Sequence, residues 1–576
     1  MRRRITRRRV VKGVITATGA AAVAKVAAQP ATSASLAASD VAAADRVAGR
    51  SYANDAEREM MAEGLASRRA VLQSLRGRHI PPDVEPAAHF SPRLPGTVLP
   101  PGPSACTVSP GDLPAYNGDP ATLAFCTATE LSRLIHARKV TSVELTRMYL
   151  DRLKEIGPRL NCVVTVTEAL ALAQAARADA ELAAGRDRGP LHGVPYGAKD
   201  LLATKGIATT WGAAPYKSQV FDGDATVVKK LESAGAVLLA KLSLGELAMG
   251  DYWFNGLTRN PWKPDSGSSG SSAGPGAATA GGLVGFSIGS ETLGSIVSPS
   301  VTCGVTGLRP TYGRVSRHGA MPLARTMDKL GPMCRGVEDC ALVLAAVAGT
   351  DELDPTAADV PFRWDASLDL KAIRLGIDVA GFERLMNAKD DPKTKPRKEL
   401  YAAALDQLRK IFGELRPVAL PPADPYKGLA GLLIGCESAG NFSELLTSGR
   451  VRELAQQGPD SWPNAFRIGA TIPAADYLRA MQVRTQLQHA MREAMKDVDA
   501  YVTMPFAGPT MAFTNLTGHP SLVTRCGIAN DLPASIEFIG QLYREDLLVR
   551  VGVAFEAATG ANVWPDTTRI PPLPPH

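Results

Sequence analysis

The 576-residue chain has few cysteines, eight in all, with no Cys-x-x-Cys pair and no zinc-ligand spacing. That excludes a disulfide framework and a structural zinc site, and the thiols are expected to act as small buried hydrophobes. Beyond the first 28 residues no apolar run is long enough for a transmembrane helix. Neither Gly-x-Gly-x-x-Gly nor the P-loop lysine pattern occurs, which argues against phosphate-cradling loops. No internal repeat is detectable. Histidine is scarce as well: His79, His89, His136, His192, His318, His489, His519 and His576 offer no evident partner for Ser-His-Asp catalysis.

What is present is the composition of a globular protein, 45% apolar and 21% charged. The net charge of +7 is unevenly placed, because the first 28 residues hold Arg2, Arg3, Arg4, Arg7, Arg8, Arg9, Lys12 and Lys25 and no acid. Without them the chain is close to neutral, and the electrostatic case for a nucleic-acid partner disappears. This cationic start precedes a small-residue and apolar stretch, residues 13–24, too short to span a bilayer. Thr6-Arg7-Arg8-Arg9-Val10-Val11-Lys12 resembles the twin-arginine export signal, an address and not an anchor. Residues 1–28 are therefore expected to be a signal peptide cleaved after Ala24 or Ala28, with the working protein exported to the periplasm or beyond.

Residues 29–120 read as a helical and Pro-rich N-terminal extension. Met60, Met61, Leu65, Val71, Leu72 and Leu75 fall at helical spacing, whereas recurrent Pro and Gly from 81 to 120 forbid regular helix and predict an extended wrap. From residue 121 the pattern turns regular. Thr141-Ser142-Val143-Glu144 is a capping box, and Leu145, Met148, Tyr149, Leu153 and Ile156 line one face before Gly157-Pro158. Strands are predicted at 162–166, 236–240, 373–377 and 500–503, with an alanine-rich helix ending near Gly185. Alternating helices and strands define an α/β protein. Length alone would suggest about three or four domains.

The chemistry gathers in two Gly/Ser stretches inside this folded region. The first is Asp265-Ser266-Gly267-Ser268-Ser269-Gly270-Ser271-Ser272-Ala273-Gly274-Pro275-Gly276, a linker by composition alone. The second is Gly289-Ser290-Glu291-Thr292-Leu293-Gly294-Ser295. Two such loops so close in sequence suggest backbone N–H groups brought against a ligand. Gly270-Ser271-Ser272-Ala273-Gly274 formally matches a nucleophile elbow centred on Ser272, but an elbow needs a strand before it, and Pro261-Trp262-Lys263-Pro264 does not read as one. A lysine can replace histidine as base if burial lowers its pKa. Gly193-Val194-Pro195-Tyr196-Gly197-Ala198-Lys199-Asp200 supplies one, although an isolated lysine is ordinarily a surface residue.

Taken together, Lys199 in its apolar segment, the two Gly/Ser loops and Cys303-Gly304-Val305-Thr306-Gly307-Leu308-Arg309-Pro310-Thr311-Tyr312-Gly313 resemble the amidase signature family in order and spacing. The similarity is dense from 191 to 340, extends back to 123, and is thin after 351 apart from Gly518-His519-Pro520. The resemblance implies one large domain over 121–576, a large mixed β-sheet flanked by helices on both sides, with a variable region at about 351–480 that shapes the acyl pocket. It implies that Ser295 is the acyl-forming nucleophile, Ser271 the bridging serine after a cis Gly270-Ser271 bond, and Lys199 the base. The N–H groups of Thr292, Leu293, Gly294 and Ser295 match its oxyanion hole. No metal or organic cofactor is called for. The expected partner is a small amide substrate, with no nucleic acid, no stable membrane anchor, and a homodimer left open.

The chain departs from the commoner pattern at Glu291 for aspartate, Leu293 for glycine, Val297 for arginine, Ala273 and Pro275 for Gly or Ser, and Arg309 for lysine. Tyr252 and Trp253, in Gly250-Asp251-Tyr252-Trp253-Phe254-Asn255, are candidate substrate-binding residues or else plain core. Asp328 and Arg325 either position the nucleophile loop or form a surface pair. Two rival functions remain: the glutamine-hydrolysing component of a transfer-RNA amidotransferase, against which the export signal argues, and a catalytically silent binding protein on the same scaffold.

Overall fold

The computed structural model describes residues 36–51, 53–78, 90–367, 369–560 and 563–572. The segment read as a signal peptide lies outside the described residues. Among the described residues no helix is long and apolar enough to cross a membrane.

Two helices open the described chain, α1 (Ala38–Val47) and α2 (Asp55–Gly77). Asn54 caps α2: its side chain accepts the Glu57 N–H at 3.0 Å while the Glu57 carboxylate accepts the Asn54 N–H at 2.7 Å. The described part of the Pro-rich stretch is largely extended and tied to the body, with Gln488 Nε2 donating to Ser91 O at 2.8 Å and Arg492 Nη1 to Pro95 O at 2.7 Å. The body includes α3 (Ser142–Glu155), whose Thr141/Glu144 capping box forms as the sequence predicts. After it come β1 (Val163–Val166), α4 (Glu168–Ala183), β2 (Pro195–Lys199) and β3 (Val237–Leu242).

Next are α5 (Ala273–Ala280), β4 (Phe286–Glu291), α6 (Val297–Cys303), β5 (Thr306–Arg309) and β6 (Lys329–Cys334). The remainder supplies β7 (Leu375–Ile377), β8 (Arg416–Pro417), α7 (Leu429–Asn441), α8 (Trp462–Gly469), α9 (Ala474–Ala494), β9 (Ala500–Thr503), α10 (Thr510–Thr517), β10 (Ser521–Ala529) and β11 (Leu532–Gly540). The eleven strands form one mixed sheet in the order β8-β7-β9-β11-β10-β5-β6-β4-β2-β3-β1, flanked by helices. At its functional centre β2 runs parallel to both β3 and β4, and β4 antiparallel to β6. β2 and β4 are buried along their whole length, as strands covered on both faces must be.

The four predicted strands and the alanine-rich helix are present with ends shifted by a few residues. One reading needs correction. Lys263–Gly267 is a strand, contrary to the reading of Lys263 and Pro264, but it stops at Gly267, and residues 268–271 directly before Ser272 are irregular, so the elbow still lacks its strand. The Lys263–Gly267 strand pairs with Arg259–Asn260 in a separate two-stranded ribbon, outside the eleven-stranded sheet.

All eight cysteines are free. Burial pushes each thiol up, Cys126 to about 11 and Cys106, Cys162, Cys436 and Cys526 to about 12.

Candidate active site

Parallel pairing of β2 with β4 brings their C-terminal ends to one edge, and Ala198 stands opposite Ile288. Lys199, the last residue of β2, is fully buried there. Its Nζ lies 2.8 Å from Ser271 Oγ, 3.0 Å from Ser272 Oγ and 2.9 Å from Ser290 Oγ. Burial pushes the amine well below the ordinary lysine value, and the distant carboxylates of Asp328 and Glu291 offset this only in part. Lys241 makes the contrast: also buried, it has Asp200 Oδ1 at 2.9 Å, whereas the neighbours of Lys199 are hydroxyls.

Ser271 follows a cis Gly270-Ser271 peptide bond and precedes α5. Ser272 points the same way but is held by β4, donating to Ser290 O at 3.0 Å and accepting from Ser290 N at 3.1 Å. Ser272 N–H donates to Ser295 O at 3.1 Å, which sets the second Gly/Ser loop beside the first. Ser271 is 1% exposed and Ser295 9%, so Ser295 is the more accessible of the two. Ser295 Oγ makes no hydrogen bond to Ser271 among the described residues. The N–H groups of Thr292, Leu293, Gly294 and Ser295 have no acceptor among them either, which leaves four donors clustered on one loop. Gly294 adopts φ 85°, and a β-carbon there would come 2.7 Å from Met511 Sδ.

Two departures from the family pattern meet each other. Glu291 Oε1 is paired with Arg309 Nη1 at 2.6 Å, both fully buried, and also accepts from Asn515 Nδ2 at 2.8 Å. Oε2 accepts the Ile296 and Val297 N–H groups at 2.8 and 3.0 Å, stapling the start of α6 behind Ser295. Burial pushes this carboxyl up, but Arg309 and Lys329 outweigh it and hold it at about 2. Asp328, not Arg325, grips the loop: it accepts from Thr292 Oγ1 at 2.6 Å and from the Leu323 N–H at 2.8 Å. Arg325 lines the cavity beside this loop, and its Nε donates to Asn441 Oδ1.

A cavity of about 260 Å³ opens beside Ser290 and Thr292, walled by Leu201, Ala248, Met321, Leu323 and Leu330. Tyr252 and Trp253 do not line it. They lie on a short hairpin with Gly256 and Leu257, at the back of the Ser271 loop, where the Gly250 carbonyl packs against Gly270. His519 is not brought to the site: burial and Arg309 hold its ring at about 3, and its carbonyl accepts from Arg309 Nη2 at 3.0 Å.

Sequence reasoning did not single out Ser290, which reaches Lys199 Nζ only because β2 and β4 are paired in parallel. Asn515 was likewise invisible as a contact, since Glu291 lies 224 residues away, and local spacing does not pair Glu291 with Arg309.

Comparison with known proteins shows the family and the fold. The Amidase family model matches residues 144–514. A glutamyl-tRNA(Gln) amidotransferase subunit from Roseiflexus sp. (strain RS-1) is 35% identical over 487 residues, 76% of this chain and 96% of the relative. The peptide amidase from Stenotrophomonas maltophilia superposes with a TM-score of 0.68 at 29% identity, covering 78% of this chain and 99% of that one. An amidase family protein from Bacillus anthracis str. Ames gives 0.69 at 26% identity, with 78% and 93% covered. Fold and family define a hydrolase of amide carbon–nitrogen bonds that works through an acyl-enzyme. The chain belongs to the amidase signature family.

Proposed function

We propose that this chain is a stand-alone amidase in which Ser295 is acylated, Ser271 bridges and Lys199 is the base. The observation that carries this reading is the buried Lys199 amine 2.8 Å from Ser271 Oγ. A neutral amine donates two hydrogen bonds and accepts one. Ser272 has committed its own proton to Ser290 O, so it can only accept from Lys199, and Ser271 is placed to give its proton up. Ser271 then takes the proton of Ser295, whose oxygen attacks the amide carbonyl. The free N–H groups of 292–295 stabilise the oxyanion, each worth about a hundredfold or more in rate. The relay next protonates the departing amine, and water releases the acid.

The relatives named as amidotransferase subunits favour a second reading, glutamine hydrolysis for a partner protein. One experiment separates them: ammonia release from short aliphatic amides, aryl amides, peptide amides and glutamine, with Ser295→Ala as the blank. Release from non-glutamine amides that vanishes in the variant supports the stand-alone enzyme. Release from glutamine alone supports the second reading, and retained release in Ser295→Ala overturns the triad. A silent binding protein would release ammonia from none.

We also place the mature protein outside the cytoplasm, on the strength of the motif at residues 6–12. Replacing Arg7, Arg8 and Arg9 together by Lys should leave the protein in the cytoplasmic fraction; unchanged export would remove this proposal.

A further inference from the structure

Residues 245–250 form the floor beneath Ser271. The Gly245 N–H donates to Ser271 O at 3.3 Å, and the Gly250 carbonyl lies so close to Gly270 that a β-carbon there would overlap it. Ala248 of the same turn lines the cavity. Leu247 (φ 46°) and Ala248 (φ 66°) are both left-handed, a conformation that a β-carbon disfavours. Such backbone persists only where its surroundings over-determine it.

Glu246 provides that constraint. Its two carboxylate oxygens accept the Ala455 N–H at 2.9 and 3.0 Å, and its carbonyl accepts the Trp462 indole N–H at 3.0 Å. Trp462 opens α8, and further along that helix the buried Arg467 donates to Glu57 Oε1 at 2.6 Å. Arg452, just before the Ala455 strap, donates to both Glu57 oxygens at 2.9 Å. Glu57 sits in the first turn of α2, outside the span matched by the family model. An unbroken set of hydrogen bonds and one helix thus joins the N-terminal extension to the Ser271 backbone.

We propose that Glu246 and Glu57 are positioning residues for Ser271: α2 fixes α8 and its preceding strap through Glu57, and these fix Glu246, which holds the 245–250 turn against the serine. This rests on the role given to Ser271 above. The extension is then part of the active-site framework and not an appendage.

The test uses the full chain with Glu246→Ala, Glu246→Gln and Glu57→Ala, reading kcat and KM on the best amide of the panel. It also reads the rate of fluorophosphonate capture at Ser295 and the folded fraction by circular dichroism. Small displacements of reacting groups cost up to about a hundredfold, so Glu246→Ala should lower kcat and capture together by about tenfold or more, with KM within about twofold. Glu57→Ala should lower kcat by about several-fold in the same pattern. Glu246→Gln, whose amide oxygen still accepts the Ala455 N–H, should recover most of the rate. Unchanged kcat in folded Glu246→Ala overturns the proposal, as does a loss that only follows the folded fraction. If Glu246→Ala does not fold, Glu57→Ala decides by the same criteria. Capture of wild-type protein at a residue other than Ser295 would defeat the triad reading instead, and kcat alone would then judge Glu246.

Discussion

At the scale of single residues the site is governed by how buried charges are matched. Lys199 has hydroxyls for neighbours and is pushed well below 10.5 by burial, so it loses its proton at a lower pH than a free lysine. Activity that needs the neutral amine should therefore rise with pH along a limb whose midpoint lies well below 10.5, and Lys199→Ala should abolish turnover across the whole profile. Between the folded pKa and 10.5 the unfolded chain binds the extra proton, so stability gains as pH rises through that window and is lost as pH falls through the folded value. Glu291 is the opposite case. Its carboxyl, held at about 2 against 4.5, contributes stability that is fully present above 4.5 and lost as pH falls towards about 2. Glu291→Gln leaves Arg309 buried and uncompensated, at a cost of about 3 kcal/mol or more. Chemical denaturation at pH 7 should show that loss, and the gap to wild type should shrink below pH 4.5. Turnover should fall as well, because the staple on the Ile296 and Val297 N–H groups is weakened.

At the scale of elements, what could be read from the chain was whatever is local. The Thr141/Glu144 box announced α3, and Thr141→Ala should cost about 1 kcal/mol in a thermal melt because it frees the Glu144 N–H. The two Gly/Ser loops were legible because glycine and serine runs mark close backbone approach within a few residues, whereas Lys199 stood out only through the family resemblance, since a lone lysine reads as a surface residue. The contacts that turn those loops into a site were not legible. Ser290 faces Lys199 because two strands 91 residues apart run parallel, and Asn515 reaches Glu291 across 224 residues. Nothing in local spacing encodes either. Of the two readings of Tyr252 and Trp253, pocket wall or plain core, Trp253 takes the second and Tyr252 is exposed; neither lines the cavity, because their hairpin lies at the back of the loop where Gly250 packs on Gly270.

At the scale of the whole molecule, the length prior for several domains gives way to one continuous sheet. Leu75 of α2 is buried in the same apolar cluster as Leu429, Met481 and Ile539, so the extension and the far half of the sheet share a core. Calorimetry should show one unfolding transition, and a separate low-temperature transition would mean that α1 and α2 melt on their own. The thiols carry a practical consequence. With every one pushed above its usual range and five of the eight buried, the thiols should react slowly with maleimides in the native fold, Cys106, Cys126 and Cys436 fastest because they are partly exposed; thiol titration of the native protein checks this. Val47→Cys, at a position 92% exposed on α1, should therefore take up a single fluorophore without removal of any natural cysteine. Such a label would report on the N-terminal helices by one-colour spectroscopy in the otherwise natural chain.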